Sequence, residues 1–467
     1  VIRANIEGRL TERQILDYIK EYDVSHFQSN NRYYEGSNPG ILDRRPPDNE
    51  SQTPDRKVPV PYARKIINTV TGYMYKPGLI KYTSENETYL DTYNEVMDQN
   101  HEPLKTSQIG KQASIQGVGY ELHYVAGVDT GNADLPRMAV PRFVKVPAAQ
   151  MIPLYNYELE PELIAAIRYF KLDSKRDRAE VYYPDVVQYY FLERDPQSES
   201  ARLVPDFERR HYYDRVPIVV FRNNEEMVGD FEPVKYLIDA YDVLLSDSMN
   251  EFDRFAFAYL VLKGMQIDKD DVEDLRVKRV LEVMENGGVE FLTKDIPADF
   301  IGFMTSLIRK EIHKQTHVPD FLEGQTGDAL SGVAISKLLY DFEFIAATKE
   351  AYFREGLADR ARMIHTILKK RDNVDGDPED IAVVMERNIP QMDKENAEVM
   401  GLYAGMGISN RTLIDQFAPF VENVDEEMQR YKEEQEEYID LDNPEEGPAG
   451  SGQPGGPDDQ GNRAADS

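Results

Sequence analysis

Ile335-Ser-Lys-Leu-Leu-Tyr-Asp-Phe-Glu-Phe-Ile345 opens the stretch on which the fold turns. From here Ile335, Leu338, Leu339, Phe342, Ile345, Ala346, Tyr352, Phe353, Leu357, Ile364, Ile367 and Leu368 keep a helical period to about Lys370. That is longer than ordinary globular helices, and a helix of this length traverses a protein or braces neighbouring subunits. Upstream lies a second distinctive unit. Glu232-Pro233 opens a helix whose stripe is Val234, Leu237, Ile238, Tyr241, Leu244, Leu245, Met249 and Phe252, with an acidic opposite face. A compact insert follows, from Phe257 to about Ala298: an apolar strand at 259–263, a charged helix around 272–284, a Gly287-Gly288 turn and a second strand at 289–293. A returning helix then carries Phe300, Met304, Leu307, Ile308 and Ile312 on one face and ends at Pro319.

Working outward, Thr11 and Gln14 have capping-box spacing before Ile15, Tyr18, Ile19 and Tyr22, which predicts a short amphipathic helix. Residues 37–61, dense in Pro, Asn, Asp and Arg, read as a long irregular arm of the kind that reaches a neighbour. Tyr62, Ile66, Ile67, Val70, Tyr73 and Met74 restore helical spacing until Lys76-Pro77-Gly78. Between about Val118 and Asn224, short runs rich in Tyr, Val, Ile and Phe predict antiparallel sheet. After the strand-like 381–385 come short helices near Lys394 to Ala404, from Ser409, and after Asp425; residues 443–467, with no apolar residue beyond Ala, are expected to be disordered. The fold class is α+β, predominantly helical.

Composition narrows the chemistry. Lys and Arg total 54 against 85 Asp and Glu, a formal charge of −31, which argues against broad phosphate neutralisation. The absence of Cys excludes disulfides, thiolate metal sites and cysteine nucleophiles, and fits a reducing cytoplasm. The apolar run at 255–262 is far short of the roughly 20 residues that span a bilayer, so a soluble protein without membrane partners is expected. The amino terminus lacks the basic-then-apolar order of an export signal.

No phosphate-cradling Gly-x-x-x-x-Gly-Lys-Ser/Thr loop occurs, so any DNA movement would be driven by another protein. His313 and His317 lie four apart on a helix, a metal-compatible spacing, but no Glu completes a His-Glu-x-x-His pattern and His101-Glu-Pro breaks the similar start. The run Asp268-Lys-Asp-Asp-Val-Glu-Asp274 lacks the Gly and distal Glu of a calcium loop and reads as a solvated helix start. Asn86-Glu-Thr88 matches a glycosylation acceptor by chance. No catalytic residue, cofactor or metal is expected. Arg309, Lys310 and Lys314 cluster in a chain poor in positive charge and are either a face paired with nearby acids or a DNA-facing ring. Residues 320–332 carry three Gly and form a flexible loop.

The order of these pieces resembles the portal family of long-tailed double-stranded DNA phages. The matching text is Tyr33-Tyr34-Glu-Gly36; Tyr62-Ala-Arg-Lys-Ile-Ile-Asn68 with Gly72-Tyr73 and Lys76-Pro77; Ser331-Gly332-Val-Ala-Ile335; Lys349-Glu-Ala-Tyr-Phe353; and Asn388-Ile-Pro390 with Gly407-Ile-Ser409. The resemblance runs from about residue 10 to 435, and the order of the motifs is more specific than any one of them. It implies a dodecameric ring around a central channel, with wing, stem, clip and crown regions. Carried onto this sequence, these are a wing at 1–232, stem helices at 233–256 and 299–319, a clip at 257–298, a tunnel loop at 320–332, a long helix and return at 333–390, a crown at 391–442 and the tail at 443–467. It also implies a virion location at the capsid portal vertex and assembly in the host cytoplasm. The implied partners are double-stranded DNA in the channel, the terminase motor at the clip, head-completion or adaptor proteins, and capsid and scaffolding proteins. Arg309, Lys310 and Lys314 become the DNA-channel candidates, and Gly324, Gln325, Thr326, Gly327 and Asp328 the tunnel-loop candidates, with Gly332 at its end. Roughly −370 at twelve copies would let the duplex slide with little adhesion. The competing expectations are a metal-dependent nuclease of a phage head and a non-portal head-tail connector.

Overall fold

Local signals and long-range packing divide the work of building this chain. The computed structural model describes residues 2–6, 8–45, 55–127, 139–173, 176–194, 201–255, 259–263, 288–292, 298–320, 332–389, 393–417, 421 and 423–442. They form two units, Val1–Ile389 and Pro390–Ser467.

In the first unit, α1 (Glu12–Glu21) starts at the capping box read from sequence: Gln14 N donates to Thr11 Oγ1 at 3.3 Å, and Thr11 N donates to Gln14 Oε1 at 2.9 Å. The helix α2 (Ser25–Glu35) and the single turn α3 (Pro39–Leu42) lead to α4 (Tyr62–Met74). The predicted apolar positions of α4, Tyr62, Ile66, Ile67, Val70, Tyr73 and Met74, are all buried. Two helices that apolar periodicity does not announce follow, α5 (Glu87–Asn100) and α6 (Glu102–Gln116). Asn86 of the glycosylation-like triplet is the N-cap of α5, accepting from Tyr89 N at 3.1 Å.

The strand-rich region forms two sheets rather than one. Strands β1 (Ile2–Arg3), β5 (Met151–Tyr155), β6 (Leu163–Lys171), β7 (Asp177–Tyr182), β8 (Val186–Arg194) and β9 (Ala201–Arg210) lie in that order, antiparallel except for the β1–β5 pair. A second sheet has β3 (Val118–Ala126) between β10 (Ile218–Arg222) and β4 (Val140–Val146). The split occurs because β10 returns to β3, with Ile218 opposite Leu122, instead of extending β9. α1 covers one face of the larger sheet through Ile15, Leu16 and Ile19; Tyr120, Val146, Ala166 and Tyr182 fill the space between the sheets. Two short pairs complete the unit: β2 (Ile80–Thr83) with β13 (Ala382–Met385), and β11 (Tyr259–Lys263) with β12 (Gly288–Leu292). The charged helix expected between β11 and β12, the acidic run 268–274 and the tail 443–467 lie outside the described residues.

The long helix is α9, Gly332–Asp372, 41 residues or about 60 Å. Phe342, Ala346, Phe353, Leu357, Ile364, Ile367 and Leu368 are buried along it, so it runs through two of the apolar clusters instead of over their surface. A Cβ at Gly356 would stand 2.5 Å from the Phe221 ring, so glycine lets α9 press against β10. Three polar attachments fix its height. Arg360, fully buried, grips Glu121; Lys349 meets Asp230 at 2.6 Å; Glu343 and Glu350 receive Arg387 at 2.9 and 2.6 Å.

The helices bracketing the insert are α7 (Lys235–Phe255), entered by a 3₁₀ turn at Glu232–Val234, and α8 (Ala298–Thr316). They pack against each other. Neither buries its predicted stripe whole. On α7, Val234 of the entering turn and Ile238 are buried, whereas Met249 is 43% and Phe252 68% exposed. On α8, Ile312 is fully buried, whereas Phe300 and Leu307 of the stripe point outward at 58% and 40% exposure, as does Phe303, which the stripe did not include, at 62%. The stripes were too wide for a single interface, and each divides between a core-facing and an outward-facing side.

The second unit contains α10 (Asp393–Gly405), α11 (Asn410–Phe417) and α12 (Val424–Asp442).

Candidate functional site

The helix pair α7–α8 carries the candidate cations Arg309, Lys310 and Lys314 on α8, and three devices position it. The first is a ladder on α7. Asp242, Ser246 and Asn250 recur every four residues, a spacing that stacks side chains along one side of a helix. The chain at 56–60 runs extended along them: Arg56 N donates to Asn250 Oδ1 at 2.7 Å, Val58 N to Ser246 Oγ at 3.0 Å and Val60 N to Asp242 Oδ1 at 2.9 Å. Alternate amides of an extended chain advance about as far as four helical residues, so the two repeats stay in step. Asn250 returns a bond to Arg56 O, and Arg56 pairs with Asp253 at 2.5 Å. The acidic face of α7 is therefore partly an interior one. Burial pushes the Asp242 carboxyl up to about 6, only partly opposed by hydrogen bonds from Asn38 and Val60. The described end of the irregular arm lies along its own chain's helix.

The second device joins α2 to α7. Tyr33 donates to Asp239 at 2.7 Å, and Asn38 Nδ2 donates to Asp242 Oδ2 at 2.6 Å. Burial, and then the neighbouring Asp239 carboxylate, raise the Tyr33 phenol well above its ordinary pKa, so it remains a donor.

The third lies where α8 ends. Asp320, with a side chain only 7% exposed, is 3.3 Å from Arg309 Nε, 3.5 Å from Lys65 Nζ and 3.6 Å from His313 Nε2. His313 is buried, its Nδ1 is 2.9 Å from Val318 O, its Nε2 is 3.2 Å from Lys65 Nζ, and its ring lies edge-on to Tyr62. Burial, with Lys65 and Arg309 close by, lowers the His313 pKa despite the carbonyl of Val318 and the carboxylate of Asp320. Residues from α4, α8 and the segment after α8 thus meet at one carboxylate.

Arg309 is half-buried on the inward side of α8 and is committed to Asp320. Lys310 and Lys314 are exposed on the outward side, Lys314 lying 3.6 Å from Glu311. The three cations of the sequence cluster therefore do not share one side of the helix. Helical geometry separates them, since positions 309 and 310 diverge by about 100°. Gly324, Gln325, Thr326, Gly327 and Asp328 lie outside the described residues, and Gly332 is the first residue of α9. His317, in the left-handed region at φ +56°, pairs with Asp341 at 2.9 Å, so it and His313 turn to different partners. Sequence reasoning overlooked both the ladder on Asp242 and the meeting of Lys65 with Asp320; only the i, i+4, i+8 run of polar residues on α7 could have signalled the ladder.

Asp320→Ala removes the carboxylate and leaves Lys65, Arg309 and His313 crowded. A loss of about 1–3 kcal/mol in urea unfolding is expected. Because the His313 pKa is depressed in the folded chain, its contribution is complete above its ordinary value of 6.5 and is lost as pH falls through the lower folded value. His313→Gln should flatten that acid limb of the stability profile; an unchanged limb would remove His313 from the account.

The residues behind the sequence resemblance occupy these joints. Tyr33 reaches α7, Lys65 reaches Asp320, Lys349 and Glu350 anchor α9, and Asn388 N donates to Tyr73 O at 3.0 Å. Comparison with known proteins agrees. The portal protein of Bacillus phage SPP1 is 27% identical over 379 residues, covering 78% of this chain and 73% of its own. The portal protein of Clostridium phage phiCD119 is 20% identical over 447 residues, covering 93% and 95%. A solved structure titled as the neck of an empty GTA particle covers 88% of this chain and 95% of its own at 11% identity and a TM-score of 0.46. The family model for phage portal proteins of the SPP1 Gp6-like type matches residues 13–441, and the chain therefore belongs to the phage portal family, whose members form rings at the capsid vertex.

Proposed function

We propose that twelve copies of this chain form a ring whose central channel carries double-stranded DNA during packaging and ejection. In this reading α7 and α8 are the stem, residues 257–298 the clip, 320–332 the tunnel loop, 1–232 with the return through 333–390 the wing, and 391–442 the crown. The clip docks the terminase motor and afterwards head-completion or adaptor proteins, while capsid and scaffolding proteins surround the ring as it assembles in the host cytoplasm. The chain guides DNA and performs no chemistry of its own.

One observation carries this reading. The outward side of α8 bears Phe300, Phe303, Leu307, Lys310 and Lys314, spaced by three and four residues as in a helix–helix seam. Its apolar half, exposed in the single chain, suits an adjacent subunit. Its charged half offers brief, salt-dependent contacts to phosphate. The ladder and the Asp320 cluster hold that seam at fixed orientation.

Negative-stain images of purified protein should show rings with a central hole. Phe303→Asp should convert most rings to monomers, because it buries an unpaired carboxylate in an apolar contact. Lys310→Glu with Lys314→Glu should leave rings intact and reduce DNA packaging severalfold. Unchanged packaging in the double variant would remove both lysines from the channel. Exclusively monomeric protein under all assembly conditions would remove the ring reading. DNA incubated with the protein and magnesium or manganese should remain intact; cleavage would favour the nuclease alternative. A subunit absent from empty proheads and present only after packaging would instead be a connector.

A further inference from the structure

A partly enclosed cavity of about 220 Å³ is walled by the turn joining α1 to α2, by β5 of the larger sheet, and by β3 and β10 of the second. It lies apart from the α7–α8 pair, and the ring reading makes no use of it.

Its boundary is set by the backbone. Gly117, at φ +79°, closes α6 beside the cavity, and a Cβ there would stand 1.8 Å from Met227 O, so glycine alone admits the Met227 loop. Met227, part of the wall, holds the left-handed region at φ +56°, which is uncommon for a residue with a side chain. Asn224 fixes it there by donating to Val228 O and accepting from Val228 N, both at 2.9 Å. A strained conformation persists only where its surroundings over-determine it. The Met227 side of the cavity is therefore a fixed wall.

Four aromatic side chains line the space: Tyr22, Phe27, Tyr120 and Tyr155. Burial raises the pKa of the three phenols, so each remains a neutral hydroxyl. Among the described residues no hydrogen bond reaches those hydroxyls. Gln116, also in the wall and 5% exposed, donates through Nε2 to Asn31 Oδ1 at 2.8 Å and to Phe27 O at 3.2 Å, while its buried Oε1 has no partner. Asp23 adds a carboxylate, which accepts from Ser25 N at 2.8 Å. No Lys or Arg stands among the described residues of the wall, and its one histidine, His26, is 3.3 Å from Glu232.

This lining selects for charge. An anion would find no cation to balance it, whereas a positive group would find an unmatched amide oxygen, phenol oxygens, a carboxylate and electron-rich rings. The volume exceeds that of one or two waters, each taking about 30 Å³ of liquid, and accommodates a short alkyl chain with its head group.

We propose that this cavity binds an alkylammonium group, which donates to Gln116 Oε1 and the phenol oxygens, lays its methylenes against the apolar wall, and is balanced in charge by Asp23. The group belongs either to a free alkylamine or to a lysine side chain of another protein molecule, since both present the same chemistry. Occupancy ties the α1–α2 turn to both sheets and so stabilises the first unit.

Saturation-transfer NMR and thermal unfolding of the full chain at physiological salt, which screens loose attraction to the acidic surface, test this with n-butylammonium, n-butanol and butyrate. Butylammonium should bind with a millimolar dissociation constant, as a ligand with so few heavy atoms allows, and should raise the melting temperature. Butanol should bind about tenfold more weakly and butyrate not at all. Gln116→Leu should weaken butylammonium binding about tenfold by removing the acceptor. Asp23→Asn should weaken it about threefold while keeping the bond from Ser25 N, so it reports on charge even where Gln116→Leu disturbs α2. An N-acetyl-lysine amide that binds as well as butylammonium assigns the site to a protein side chain; butane-1,4-diammonium binding about tenfold better than either assigns it to a free amine. Equal binding of butylammonium and butanol would overturn the proposal, as would no binding of either, which would leave a cavity holding water only. Undiminished binding in both variants would also overturn it, since the cation would then sit elsewhere on the acidic surface.

Discussion

Arg360→Ala should lower the free energy of unfolding by about 3–5 kcal/mol, read as a fall in urea midpoint with little change in slope. Arg360 is fully buried within α9, and its guanidinium meets both oxygens of Glu121 at 2.9 and 2.8 Å. It also donates to Thr106 Oγ1 at 2.8 Å and Glu102 Oε1 at 3.2 Å, and stacks over Phe143 with its centre 4.6 Å from the ring. Truncation would leave two buried carboxylates without their cation. Burial alone would raise the Glu121 pKa, but Arg360 and His123 outweigh it and hold the carboxyl below its ordinary range. A depressed carboxylate pKa stabilises above the ordinary value of 4.5, and that contribution is lost as pH falls through the folded value. The gap between the native chain and Arg360→Ala should therefore narrow in acid, where Glu121 can protonate. Arg360→Lys should recover only part of the loss, since an ammonium cannot make the two-pronged contact. A deficit below about 1 kcal/mol would show that water enters the cluster and that α9 is held by its apolar contacts alone.

Lys349→Met is expected to be the next most damaging change, again at about 3–5 kcal/mol. The lysine is 2% exposed and its ammonium contacts Asn223 Oδ1 at 2.5 Å, Asp230 Oδ1 at 2.6 Å and Ser114 Oγ at 3.0 Å. Burial pulls its pKa down, and Asp230 opposes that shift. Methionine fills similar space but leaves Asp230 buried without its cation. Adding Asp230→Asn should restore part of the stability, because the uncompensated charge is then gone while the contact with Asn223 can persist. If the double variant were as unstable as the single one, packing around the Lys349 stem rather than charge would be responsible. Both variants weaken the attachment of α9, so ring yield should fall with stability and should recover alongside it in the double variant.

Much of the chain was legible because it is locally encoded. The capping box at Thr11 and Gln14, the apolar face of α4, the helix–insert–helix order, the long α9 and the caps around Ser409 depend on residues within a turn or two of one another. Their periodicities report which side will be buried. α5 and α6 escaped because their buried faces are largely aromatic, polar or small: Tyr89 and Tyr93 on α5, and Gln112, Ala113, Ser114 and Gln116 on α6.

What the sequence by itself determined was the order and type of most elements, the acidic balance, and enough ordered motifs to recognise the family. Tertiary structure alone decided the partners of the charged and polar residues. Arg360 and Glu121 are 239 positions apart, Val60 and Asp242 are 182 apart, and Lys65 meets Asp320 only because α4 and the end of α8 share one core. An isolated charge in a sequence carries no address, since its energy depends on which opposite charge is near and how much water is excluded. The same reason separates Arg309 from Lys310: one residue of helical rotation sends the first inward to a buried carboxylate and leaves the second on the outward side.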